Sequence, residues 1–333
     1  MIKLAVVGTG YWGKNLVRNF ASMPGAELAV CCDLDKRALE KIAKAYRVRT
    51  SADFDSMLGD GSIDAIVIST PASTHYKLGE AALEAGKHVY VEKPLALKLS
   101  EGRRLVELAE KKNLRLMVGH LLLYHPAVRE LKRMADSGEL GDIYYVYSQR
   151  VNLGKVRSDE NALWSLAPHD ISVVLHLLGE SPAEVLSRGA SYLQPGIEDV
   201  VFTSLRFPSG RIAQVHVSWL DPHRMRKFTI VGSRKMVTFD DADAVEKIRV
   251  YDKGFETRGE YESYGDSLTL RSGDIRIPMV EMAEPLRLEC EHFVECVAAG
   301  KTPLTDGREG LAVLAVLDAA DKSLKSGGAA VRL

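Results

Sequence analysis

The sequence predicts an α/β chain in two parts. A doubly wound parallel sheet comes first, and an α+β domain with an open-faced, mostly antiparallel sheet follows. Three observations predict this. Strand-like and helix-like stretches alternate through residues 1–118. The apolar stretches there are short and unbroken, as in parallel strands covered on both faces. After residue 119 the pattern changes to runs in which apolar and polar residues take turns, as in a sheet with one face better buried than the other. The length, 333 residues, suits about two domains, each large enough to bury its own core.

The elements follow in order. Strands are expected at 2–7, 27–32, 64–69, 87–91 and 114–118, and helices at 12–22, 35–45, 73–85 and 100–112. Gly86 stands where a helix ends before the next strand, and Ser100-Glu101 opens an Ala/Leu/Val stripe as a helix start does. Regular alternation of this kind argues a doubly wound fold. Further on, Ile143 to Arg150, Val200 to Phe207, Ile212 to Trp219 and Lys227 to Val231 read as strands, with turn signals such as Pro208-Ser209-Gly210 between them. Helices are expected from Pro168 to Leu178, at 285–299 and at 307–325. The boundary falls near Gly119, giving parts 1–119 and 120–333, although the helical segment 120–140 is compatible with either.

Composition excludes several classes. With 44 basic and 45 acidic residues the formal charge is −1, so no nucleic acid or anionic membrane surface is expected as a partner. No apolar run approaches the roughly eighteen residues a membrane span needs, and no signal peptide is expected ahead of the first strand. Cys31 and Cys32 adjoin inside a buried strand, while Cys290 and Cys296 share a helix. They form no metal spacing or disulfide framework and read as reduced core residues of a cytoplasmic protein.

The most informative stretch lies between Val7 and Asp33. After the apolar run Leu4-Ala5-Val6-Val7 come Gly8-Thr9-Gly10-Tyr11-Trp12-Gly13, then a helix, then a second apolar run ending on Asp33. Gly8 permits a tight turn, Gly10 lets backbone approach a pyrophosphate, and Gly13 lets the helix pack close to its strand. The helix N-terminus offers N–H groups and a positive dipole end to phosphates. In this context the glycines mark a dinucleotide site. Asp33 can accept hydrogen bonds from both ribose hydroxyls and repel a 2′-phosphate, which favours NAD over NADP. Lys36 and Arg37 follow closely and are the groups that could receive such a phosphate.

Glu92-Lys93-Pro94 follows the strand at 87–91, at the carboxyl edge where ligands bind in such folds. Read alone, Lys93 is either a solvated lysine between strand and loop or a group that holds positive charge beside a forming alkoxide. His75, His88 and His216 read more simply as packed residues, and no carboxylate–histidine cluster at metal spacing appears, so no metal is assigned.

Taken together, the glycine turn, the loop Ser69-Thr70-Pro71-Ala72-Ser73-Thr74-His75, Glu92-Lys93-Pro94 and the later His169-Asp170 resemble the glucose–fructose oxidoreductase and myo-inositol dehydrogenase superfamily over the whole chain. The resemblance implies a Rossmann domain and an open-faced sheet domain with sugar or polyol substrates between them. It implies catalytic roles for Lys93 and for the helix-borne His169. It also implies a cofactor lined by Gly8, Thr9, Gly10, Tyr11, Trp12, Gly13, Asp33, Ser69, Thr70, Pro71, Thr74, His75, Glu92, Lys93 and Pro94.

A narrower likeness lies in Gly119-His120, Tyr124-His125-Pro126, Arg150-Val151-Asn152-Leu153-Gly154 and Leu163-Trp164-Ser165-Leu166-Ala167-Pro168-His169-Asp170. These resemble the nucleotide-sugar 3-dehydrogenases, which act on UDP-N-acetylglucosamine or its uronic acid. The resemblance implies oxidation at C3 to a 3-keto sugar that a pyridoxal-phosphate aminotransferase then aminates, in cell-surface glycan or lipid A-type biosynthesis. Arg150, Arg157, Arg224 and Lys227 are the cations that could meet a diphosphate, and each also reads as a surface charge. His120, Tyr124 and Asn152 could serve sugar hydroxyls, and Lys93, Ser165 and His169 the reacting end.

Ser165 is a departure, because the family commonly places an aspartate there, one helical turn before the histidine. Either Lys93 and His169 suffice, or Asp170 or another carboxylate compensates, or activity is low. A dehydrogenase of a free sugar or inositol is the alternative enzyme reading, and a catalytically silent NAD- or sugar-sensing regulator the alternative from another class. An open sheet face is usually covered by another subunit, so a homodimer or homotetramer is expected.

Overall fold

Ile2–Val7 forms β1, buried from Leu4 onward, and its apolar side chains are covered on both sides as a central parallel strand requires. Around it the chain winds α1 (Gly13–Ala21), β2 (Ala26–Cys32), α2 (Lys36–Tyr46), β3 (Arg49–Ser51), α3 (Asp55–Leu58), β4 (Ala65–Ile68), α4 (His75–Glu84), β5 (His88–Glu92), α5 (Leu99–Lys111) and β6 (Leu116–Gly119). The strands pair in the order β3-β2-β1-β4-β5-β6, every pair parallel. The order reverses at β1, which puts the topological switch point, where doubly wound sheets bind ligands, beside the glycine turn. This computed structural model describes residues 1–257 and 268–333.

Local chemistry explains the helices. Nine residues are too few for α1 to persist alone, but it buries Leu16, Val17 and Phe20, each contributing about 1.5–3 kcal/mol. Asp35 caps α2 by accepting from the backbone of Arg37 and Ala38, and Arg47 ends it at φ +52°. The core beneath is aliphatic, with Ile66, Ile68, Val89, Val91, Leu105 and Val118 all buried.

The second sheet draws on β7 (Ile143–Val151), β8 (Glu184–Ala190), β9 (Val200–Arg206), β10 (Ile212–Ser218), β11 (Met225–Gly232), β12 (Met236–Asp240), β13 (Ile248–Thr257), β14 (Leu268–Arg276) and β15 (Val331–Arg332). Its order is β14-β13-β12-β11-β7-β10-β9-β8-β15, and pairing is antiparallel except between β7 and β10. Two helices accompany it, α6 (Pro126–Asp136) and α7 (Ala162–Leu178). The opposite face is bare, with Tyr144, Tyr145, Tyr147, Phe202 and Ile212 all exposed. This is the open-faced sheet the alternating runs indicate.

One helix starts earlier than the sequence suggests. Proline suits a first helical position, so Pro168 reads as a start. The structure instead begins α7 at Ala162, where Asn161 accepts from the Trp164 N–H at 3.1 Å, and carries Pro168 inside. The chain closes with α8 (Pro285–Ala299) and α9 (Gly307–Lys325). Contacts divide it into two units, residues 1–124 with 283–315 and residues 125–282 with 316–333. Val118 N donates to Thr305 O at 2.8 Å, within the first unit.

Candidate active site

The glycine turn is built by close approach. Gly8 has φ +87°, and a Cβ there would lie 2.5 Å from Ser69 O; one on Gly13 would lie 1.9 Å from Gly8 O. Gly10 differs, because an added Cβ would meet nothing within 4 Å, so its bare backbone faces open space. No side chain caps the first turn of α1; Lys14 N and Asn15 N donate there to Gly10 O at 3.3 Å and Trp12 O at 2.8 Å, so the positive end of the helix dipole is what the turn offers an anion. These features fit the pyrophosphate of a dinucleotide.

Asp33 closes the turn. Its Oδ2 accepts from Thr9 N at 2.6 Å and Thr9 Oγ1 at 2.9 Å, and Oδ1 accepts from Asp35 N at 2.9 Å. Burial pushes this carboxyl up, but those bonds prevail and hold it below the ordinary aspartate value. A carboxylate offers about four acceptor positions, so ribose hydroxyls can be added to these bonds. Thr9 is therefore buried as a support of the turn. Tyr11 is exposed, and Lys14 lies over its ring.

Three loops meet at the carboxyl edge. Trp12 Nε1 donates to Glu92 Oε1 at 2.5 Å, tying the glycine turn to the end of β5. Thr70 and Thr74 hydroxyls bond at 2.6 Å, and Thr74 donates to Pro71 O. His75 is buried, with Nδ1 2.7 Å from Pro94 O and Nε2 3.0 Å from Thr70 O. It brackets the Ser69–Thr74 loop to the Glu-Lys-Pro loop. The His75 ring nitrogens and Glu92 Oε1 thus bond to internal partners. Lys93, partly buried, stands between Glu92 and Pro94 and is joined to Pro94 by a cis peptide bond.

His120 and Tyr124 are also internal, contrary to the sugar-binding expectation. His120 Nδ1 meets Glu309 Oε2 at 2.5 Å and Tyr124 Oη meets Thr305 Oγ1 at 3.1 Å, both residues buried. Their partners lie far along the chain, and no local sequence signal announced them.

In the second unit α7 carries Ser165 and His169 one turn apart, both partly buried. Asp170 is wholly buried, taking Arg150 Nε on Oδ2 at 2.6 Å and Nη2 on Oδ1 at 3.4 Å. Burial raises this carboxyl despite the guanidinium. Two expectations fall: Arg150 is a buried counter-ion, not a surface cation free for a diphosphate, and Asp170 cannot stand in for an aspartate at 165. Arg157 pairs with Glu160 at 2.7 Å and Asp159 at 3.5 Å, Lys227 with Asp240 at 3.2 Å, and Arg224 is exposed. Asn152 is partly buried just beyond β7.

Burial pushes the Cys31 thiol up to about 12 and Cys32 to about 11, so neither is a ready nucleophile. Among the described residues no three His, Cys, Asp or Glu side chains gather as a metal site, and no helix is long and apolar enough to cross a membrane.

Fold and turn together define an NAD-dependent oxidoreductase. Residues 2–120 match the oxidoreductase family with an NAD-binding Rossmann fold, and residues 128–238 match the GFO/IDH/MocA C-terminal domain. The chain belongs to the GFO/IDH/MocA family. It is 29% identical over 343 residues to the scyllo-inositol 2-dehydrogenase (NAD⁺) of Bacillus subtilis, covering 98% of this chain and 95% of that one. It is 26% identical to the UDP-N-acetylglucosamine 3-dehydrogenase of Acidithiobacillus ferrooxidans, covering 94% of each. The solved structure of the latter superposes with a TM-score of 0.84 at 24% identity, covering 98% of both chains.

Proposed function

We propose that this protein oxidises a secondary hydroxyl of a sugar to a ketone, and that the substrate is a UDP-linked N-acetyl sugar attacked at C3. The observation that carries the oxidoreductase chemistry is the carboxyl edge of the parallel sheet. There Trp12–Glu92 and His75–Pro94 bind the nucleotide turn, the Ser69–Thr74 loop and Lys93 into one assembly. Likeness to the Acidithiobacillus enzyme over nearly the whole chain supports the choice of sugar.

NAD, when bound, supplies the hydride acceptor. The start of α1 and the open backbone at Gly10 would hold its phosphates, and Asp33 would accept from a ribose. Lys93 holds positive charge at the substrate oxygen as its proton leaves. His169 accepts that proton, a role suited to an imidazole near neutral pH. Ser165 cannot add negative charge, and Asp170 is spent on Arg150, so Lys93 and His169 act without a third charged group from these positions.

A second reading is favoured by the interior position of Arg150, which removes one expected diphosphate contact: the substrate is a free sugar or inositol. NADH formation against a panel of UDP-sugars, free sugars and inositols, with and without a coupled pyridoxal-phosphate aminotransferase, decides between them. Lys93→Ala should lose about 10²–10⁴ in rate with NAD affinity nearly intact. More than about a tenth of the activity remaining would refute the placement of the reacting group.

The bare face of Tyr144, Tyr145, Tyr147, Phe202 and Ile212 supports a homodimer or homotetramer, since self-association on a two-fold axis covers an aromatic patch with its own copy. Light scattering after gel filtration tests it, with Tyr147→Glu expected to shift the mass towards the monomer.

A further inference from the structure

Glu289 lies on α8 with its side chain fully buried, and neither carboxylate oxygen has a hydrogen-bond partner in good geometry. The groups facing it come from several elements. β5 contributes Tyr90 and Glu92, and the turn after β6 contributes Tyr124. α9 contributes Glu309, one oxygen of which meets His120 while the other is buried and unpartnered. On α8 itself Cys290 and His292 are neighbours, and Glu284 at its start pairs with Arg18 of α1. Lys3 of β1 pairs with Glu27.

Glu92 sits in a different environment. It accepts from Trp12 Nε1 at 2.5 Å and from the Tyr90 hydroxyl at 3.3 Å, and it adjoins the charge of Lys93. The Tyr90 hydroxyl stands near both carboxyls but is donated to Glu92, leaving Glu289 a weak contact. Two carboxylates cannot both ionise close together in a core, and one proton serves the pair. It resides where donors are lacking. Burial first, and the Glu92 charge second, push the Glu289 carboxyl well above the ordinary range; burial also raises Glu92, against the opposing pull of Trp12 and Lys93.

We propose that Glu289 is a positioning residue for Lys93, carrying the single proton of a buried Glu92–Glu289 pair and so limiting the negative charge behind the Glu-Lys-Pro loop to that of Glu92. The inference rests on the proposed role of Lys93. With Glu289 neutral, the Lys93 and Glu92 charges balance. A second carboxylate would cancel part of the positive field that Lys93 presents to the substrate oxygen.

The test uses the full chain and Glu289→Gln, a neutral isostere of the protonated acid. Thermal unfolding is followed from about pH 5 to pH 9, above the unfolded glutamate value of about 4.3. There the folded protein keeps a proton that the unfolded chain releases, so wild-type stability falls as pH rises. The variant lacks this loss. Its Tm should match or exceed that of wild type, by a margin that widens with pH. A constant or narrowing margin overturns the proposal, as does a variant that cannot fold, since a neutral acid tolerates its neutral isostere. The alkaline limb of kcat/KM should be displaced upward by about one unit in Glu289→Gln. An unmoved limb would make Glu289 merely structural. If wild type oxidises no sugar, the functional reading fails, while the Tm comparison still judges the proton pair.

Discussion

Arg150 offers the sharpest separation between a structural and a substrate-binding role. Its guanidinium is enclosed with the fully buried Asp170, 2.6 Å from Nε to Oδ2. Arg150→Met keeps the length of the stem and removes only the charge and its donors. Breaking a buried pair on one side leaves an uncompensated charge and costs about 3–5 kcal/mol. For a domain of 150–250 residues each kcal/mol lowers Tm by about 2–4 °C, so the expected fall is roughly 6–20 °C. The loss also has a definite pH dependence. Without Arg150 the folded Asp170 holds its proton to higher pH than the unfolded value of about 3.9. The deficit should therefore be small in acid and grow as pH rises. The double variant Arg150→Met with Asp170→Leu should recover most of the loss. Calorimetry or circular dichroism from about pH 4 to pH 8 measures all three proteins. A single variant within about two degrees of wild type, showing instead a raised KM for a nucleotide sugar, would refute the argument and return Arg150 to the substrate.

Four further outcomes are expected. Asp33→Asn keeps an acceptor for Thr9 but loses the charge, so kcat/KM for NAD should fall about tenfold or more, as loss of a charged hydrogen bond of about 1.5 kcal/mol requires, while NADP improves relative to it. An unchanged cofactor ratio would remove Asp33 from the ribose site. Ser165→Asp places a negative charge one turn from His169, stabilises its imidazolium and should move the acidic limb of the pH–rate profile upward by about one unit. His169→Ala should lower kcat strongly while sparing NAD affinity, and wild-type kcat in that variant would leave Lys93 to act alone. Cys31 and Cys32, with thiols pushed up by burial, should resist alkylation at pH 8 until the protein is unfolded, and rapid labelling of the native chain would contradict their packing.

Legibility in the sequence followed the range of the forces involved. Pro285 at a first helical turn and Gly300 in the left-handed region after the last bound α8 at the residues its pattern indicates. The glycine turn was equally readable, because steric demands at Gly8 and Gly13 admit no other residue. The two outermost strands at one end of the second sheet were not. β13 and β14 expose Phe255, Leu270 and Ile275, so burial does not impose a one-sided pattern there. The helix start at Ala162 was hidden by Pro168, a residue that signals a beginning even when packing carries a helix across it. The site supports were least readable. A charged residue in a strand does not name its partner, and Arg150 finds Asp170, His120 Glu309 and Tyr124 Thr305 only once the chain has folded.

The return of residues 283–315 to the first unit bears on how this protein emerges from a ribosome. Val118 cannot complete its backbone pairing, nor Tyr124 its hydroxyl bond, until Thr305 exists. At about 5–20 residues per second that waits roughly ten to forty seconds after β6 has been made. During that interval the edge of β6 and the surfaces later covered by α8 stand open to unintended pairing. The newborn nucleotide-binding half is thus a natural client for chaperones. A fragment ending near residue 120 should for the same reason be recovered as aggregate, whereas the same fragment supplied with residues 283–315 as a separate peptide should remain in solution.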